Sequence, residues 1–171
     1  MKGVIIISKF SLLNEDINKV LDKLVSNQNL CKLLYYNDSN PLSQTSLTDP
    51  PSLLYSLIFP YPTAIETFKE DSDGIPVASS IINVLFDNFK LGTKNHKFKS
   101  GDLTFIILCH ISLWKLSTSE LRPFCLLNEI DEMFSEQRVI GIGKGEFERC
   151  GLIWQDNYSG YKLTYKNYEF A

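Results

Sequence analysis

The side chains that could do chemistry are few. A nucleophile needs a base within hydrogen-bond reach, and the only histidines of this 171-residue chain are His96 and His110. His96 stands in a lysine-rich segment and His110 in the apolar run Leu103–Leu116. The four cysteines, Cys31, Cys109, Cys125 and Cys150, form no C-x-x-C pair. Their spacing matches neither a zinc site nor a disulfide framework, so buried, reduced thiols are expected. Cys109 and His110 are neighbours in sequence, but a strand would point them to opposite faces. No G-x-S-x-G, H-E-x-x-H or Walker loop is present. Gly141-Ile142-Gly143-Lys144-Gly145 lies between a helix pattern and a strand pattern, the reverse of a dinucleotide loop, and reads as a twisted or bulged strand. Asp71 and Asp73 begin a calcium-like D-x-D-G, but the ligand pattern does not continue. These residues predict no catalytic residue, no metal and no cofactor, and hence not an enzyme.

What remains is charge. Lys90, Lys94, Lys97 and Lys99 surround His96 between two strand patterns. Glu129, Asp131 and Glu132 lie on the polar side of a later helix pattern. These two groups are the candidate partner contacts, and each lysine that neutralised a phosphate would make binding salt-dependent. The net charge of −3 argues against a dedicated polyanion binder, though not against a local basic patch. With 44% hydrophobic and 22% charged residues the composition is that of a globular chain. No apolar run approaches the ~20 residues that span a bilayer. The N-terminal apolar stretch Val4–Ile7 is too short for a signal peptide and is interrupted by Lys9.

The elements that must carry these groups follow from hydrophobic period. Leu103, Phe105, Ile107, Cys109, Ile111 and Leu113 alternate with a mixed register, which predicts a central strand over 103–116. Residues 80–91 form a second strand pattern, with Ile82, Val84 and Phe86 on one face. The two are joined through the lysine segment as one long antiparallel hairpin. Residues 12–36 show helical spacing with a break at Ser26-Asn27. A short helix is expected over Ser52–Ile58, stopped by the stiff Phe59-Pro60-Tyr61-Pro62, a kind of segment that lies on a partner or across its own core. Ser117 and Glu120 have capping-box spacing and predict a helix start there, with Pro123 in the first turn. Arg138–Trp154 and Tyr161–Tyr165 complete a second hairpin. The expected fold is a single α+β domain over 1–171: a helical part at about 12–58, then an antiparallel sheet of two long hairpins packed against helices over about 77–171.

The order of these pieces resembles the neck and tail-terminator (head–tail joining) proteins of tailed bacteriophages. The resemblance is carried by Leu30-Cys31-Lys32-Leu33-Leu34-Tyr35-Tyr36, Ile58-Phe59-Pro60-Tyr61-Pro62, Asp102-Leu103, Arg122 ahead of Ile130-Asp131, Ile142-Gly143, and Gly160-Tyr161-Lys162-Leu163-Thr164-Tyr165 before Glu169-Phe170. It covers most of the chain in short pieces. It implies a structural virion protein assembled in the host cytoplasm, a homo-oligomeric ring of six or twelve subunits touching other head, neck or tail proteins. The lumen of such a ring would bring DNA close. It implies no catalytic residue, cofactor or membrane contact. The lysine segment and the acidic helix are not features of that family. The alternative from another class is a small nucleic-acid-associated protein that uses the Lys90–Lys99 loop. An enzyme would need a pocket joining His110 to an acid or to Cys109 or Cys125, and a host-directed inhibitor is a further class.

Overall fold

The computed structural model describes residues 10–63, 77–91, 99–137, 139 and 144–170. Three helices, α1 (Leu13–Ser26), α2 (Gln28–Tyr35) and α3 (Arg122–Phe134), pack on one five-stranded sheet. Its strands are β1 (Ile58–Phe59), β2 (Ser80–Leu91), β3 (Lys99–His110), β4 (Glu146–Gln155) and β5 (Tyr158–Phe170). The spatial order is β1-β2-β3-β5-β4, so β3 is the middle strand. Both expected hairpins are present, and β5 joins them by pairing antiparallel with β3. The sheet is mixed only because β1 runs parallel to β2.

The alternation read from the sequence sorts the two faces. Ile82, Val84, Leu103, Phe105, Ile107, Cys109, Leu163 and Tyr165 are buried against Val20, Leu24, Leu30, Leu33, Leu126, Ile130 and Phe134 of the helices. Phe105 meets Phe134 with ring centroids 4.9 Å apart. A smaller cluster of Phe59, Ile81, Leu108 and Tyr158 occupies the second face, where the Thr104 and Thr164 hydroxyls lie 3.3 Å apart.

Four local expectations need correction. The central strand stops at His110, and Ile111–Leu113 form a 3-10 turn capped by the His110 side chain. The 52–58 helix is replaced by a 3-10 turn over Pro50–Leu53, after which Tyr55 takes φ 61° and the chain turns back so that its N–H donates to the Ile58 carbonyl at 2.8 Å. The α3 helix begins at Arg122 rather than at the Ser117 capping box, because Lys115 and Leu121 bridge as a short antiparallel ladder and Pro123 suits the first helical turn. In β2 the face alternation breaks at a bulge between Asp87 and Lys90, where Asn88 has φ 51°. The break between α1 and α2 falls at Asn27, whose side-chain oxygen accepts the Leu30 N–H at 3.1 Å. Val4–Ile7, Asp71 and Asp73, and Gly141-Ile142-Gly143 lie outside the described residues.

Candidate interaction surfaces

Lys90 and Lys99 sit at the end of the β2–β3 hairpin, pairing with Ser100 and Leu91. Lys90 is exposed. The Lys99 ammonium lies 5.1 Å from the centroid of the Phe10 ring, a cation–π contact, and Phe10 in turn meets Phe89 edge-on. Lys94, His96 and Lys97 lie outside the described residues. The acidic group is on α3, and its members have separate uses. Glu129 accepts from the amides of Asn27 at 2.7 Å and Asn29 at 3.3 Å, which ties α3 to the α1–α2 joint. Asp131 accepts the Tyr165 hydroxyl at 2.6 Å, which ties α3 to β5. Glu132 accepts from the exposed Asn128 one helical turn away at 2.9 Å. Among the described residues no ion pair joins the lysines to these acids.

His110 comes nearest to a reactive arrangement. Its Nδ1 accepts the Ser112 N–H at 3.3 Å and lies 2.7 Å from Ser112 Oγ. Since Nδ1 is already an acceptor, the hydroxyl donates to it and the ring proton sits on Nε2. This is the polarity of a base with a hydroxyl, but both bonds close a two-residue turn. Among the described residues no carboxylate is hydrogen-bonded to the ring to orient it, as a catalytic base requires. Nor does any group of three or more His, Cys, Asp or Glu among them gather to hold a metal. Cys31 and Cys109 are buried, and burial pushes both thiols up to about 11. Neither is a nucleophile at neutral pH.

Two surfaces escape a reading of charge and motif. One is a cleft of about 790 Å³ beside β1, walled by Tyr35, Tyr55, Phe59, Tyr61, Ser56 and Thr63. The described residues that line it carry no charge. Tyr55 and Tyr61 stack at 6.4 Å across its mouth, both well exposed. Of the Phe59–Pro62 segment, Phe59 enters the core and Tyr61 faces out. The other surface is β4. Leu152, Ile153 and Trp154 read as core strand, yet Leu152 is 60% and Trp154 74% exposed. A consecutive apolar triplet signals burial; here only Ile153 packs on the core.

Against known proteins, the family model YomW matches residues 27–167, which is most of the chain. The chain belongs to the YomW family. The name is that of a phage-derived protein of an SPbeta-like prophage, and the family is phage-associated. A search of curated proteins and of solved structures finds no match. No helix among the described residues is long and apolar enough to cross a membrane.

Proposed function

We propose that this YomW-family chain is a non-catalytic structural subunit of a tailed phage particle, forming a ring in the neck or at the tail terminus where head and tail join. The observation that carries the reading is membership of a phage-associated family over residues 27–167. The order of elements, similar to that of head–tail joining proteins, supports it. So does the kind of surface present: uncharged aromatic and exposed strand surfaces suit protein contacts. The lysine tip of the β2–β3 hairpin then reaches a neighbouring subunit or partner protein.

The test is genetic and structural. Deleting the gene from a phage that carries it is expected to leave filled heads and unjoined tails, or tails of uncontrolled length. The protein is expected in purified particles in multiples of the ring number. Infectious particles of normal form that lack the protein overturn the reading. At the level of the hairpin, changing Lys94, Lys97 and Lys99 together to Glu is expected to abolish assembly while the circular dichroism of the subunit is unchanged. Assembly that survives the triple change removes the hairpin from the contact.

A further inference from the structure

The second face of the sheet carries two carboxylates whose charge is not balanced. Asp87 of β2 and Asp102 of β3 are direct partners in the antiparallel ladder, next to the Phe86–Leu103 pair. Phe86 and Leu103 pack on the helix side, so both carboxylates stand on the other face. Like charges directly opposite each other destabilise a ladder. Solvent does not relieve this pair, since Asp102 is only 3% exposed. Its Oδ2 accepts from the Asn88 amide at 2.9 Å, so the carboxylate leans towards β2. Its Oδ1 is buried and has no hydrogen-bond partner among the described residues. Asp87 leans the opposite way, across β3, with Oδ2 4.0 Å from the Lys162 ammonium of β5. Its Oδ1 is likewise buried and unpartnered among them. Each carboxylate thus has one oxygen in use and one with nothing, and the two lean over the same β2–β3 seam.

We propose that a hard divalent cation, of the Mg²⁺ or Ca²⁺ class, binds between Asp87 and Asp102 through these two Oδ1 atoms. The charge count calls for a cation. Among the described residues Lys162 is the base within ion-pair reach of the pair, and its contact is to a side chain 37% exposed, where water screens it. One ammonium against two carboxylates leaves a negative charge, and a buried carboxylate oxygen without a partner is costly. A ligated cation satisfies both orphan oxygens and turns the repulsion across the ladder into a bridge. The donor chemistry sets the class: carboxylate oxygens, with no thiolate or imidazole in the pair, favour hard cations. No third acid, histidine or cysteine joins them among the described residues, so water completes the shell, as it does around ions held by two carboxylates. The exposed side of Asp87 gives ion and water a way in. The Asn88 amide holds the Asp102 carboxylate as outer-shell partners hold ligating carboxylates. The ion pins the base of the β2–β3 hairpin where β2 bulges between Asp87 and Lys90. The inference stands apart from a place in the phage neck, and either can fail alone.

The test strips the full chain with a chelator and follows its urea midpoint while MgCl₂, CaCl₂ or MnCl₂ is added at constant ionic strength, with binding read by isothermal titration calorimetry. A single bound ion and a rise in midpoint are expected for at least one of these salts. Asp87→Asn and Asp102→Asn are each expected to weaken binding by about tenfold or more. Without cation both variants should be at least as stable as the parent chain, since each removes one of two opposed charges, and this separates loss of the site from loss of the fold. Absence of binding by all three ions overturns the proposal, as does an ion that stabilises the Asn variants as much as the parent. A stripped chain that gains stability on acidification and ignores the ions has its carboxylates relieved by a proton, and overturns it equally.

Discussion

Arg122 is the largest fully buried side chain in the described protein, and it meets no carboxylate. Its Nε donates to the Leu113 carbonyl at 3.0 Å, and its terminal nitrogens donate to the carbonyls of Leu33, Tyr36 and Asp38. Three of these four carbonyls belong to the end of α2 and the residues just past it, where the helix dipole is negative. Burial pulls the guanidinium down from its usual range, while the neighbouring Cys109, Asp38 and Cys125 act the other way. The planar fork thus fastens α2, the turn after β3 and the start of α3 to one another. Arg122→Ala is expected to cost about 3–5 kcal/mol, because it strands buried carbonyls. At roughly 2–4 °C per kcal/mol for a chain of this size the loss is readable in a melting curve. Arg122→Lys keeps the charge but cannot reach four acceptors in one plane, and should fall between.

The thiols make a second prediction at this scale. Cys31 and Cys109, near 9 in the unfolded chain, are raised to about 11 by burial. Below pH 9 both states hold the proton and nothing is lost. Between pH 9 and 11 the unfolded thiol ionises while the folded one does not, so stability drains away as pH rises, at up to about 1.4 kcal/mol per pH unit per thiol. Urea midpoints across this window should fall, and Cys31→Ala and Cys109→Ala should each flatten the slope. The exposed Cys150 should react with a thiol reagent in the native protein, well before Cys31 and Cys109.

Among the elements, β5 decides most, and it depends on a missing side chain. A Cβ at Gly160 would lie 2.0 Å from the Ile107 carbonyl oxygen of β3. The two backbones approach too closely for any residue but glycine. Gly160→Ala is expected to cost about 3 kcal/mol or more and to disturb the β3–β5 pairing that unites the two hairpins. The loss is measurable by denaturation and by exchange of the β3 amides. The hairpins themselves were legible in the alternation of Ile82, Val84 and Phe86 and of Leu103, Phe105 and Ile107, since a period of two is a property of neighbours in sequence. The start of α3 was not. Ser117 and Glu120 have the spacing of a capping box, but the bridge between Lys115 and Leu121 holds that segment in another conformation. Local propensity lost to a pairing it could not register. The exposure of Leu152 and Trp154 was hidden for a similar reason: hydrophobicity states a preference for burial, and only the order of strands says whether anything is there to bury it.

For the molecule as a whole, the expected α+β architecture holds, with a sheet that is mostly antiparallel, and the phage association indicated by the order of elements agrees with the YomW family. The acidic face of α3 does more than its charge pattern states. Asp131 and Glu132 are exposed as the pattern reads, and Glu129 and Asp131 also close contacts between elements, to Asn27 and to Tyr165. What the sequence determined by itself was everything that depends on residues close along the chain: the helix break at Asn27, the strand periods, the two hairpins, and the lack of any familiar catalytic or metal-binding motif. What only the tertiary structure decided was everything that depends on distant residues meeting. It placed β5 beside β3, drew three elements around Arg122, folded Tyr55 back onto Ile58 and left Leu152 and Trp154 exposed. The physical reason is that strand and helix periods arise from backbone geometry within a few residues, whereas neighbours, edges and buried charges arise from which distant surfaces pack together, and a hydrophobic residue favours burial without specifying against what.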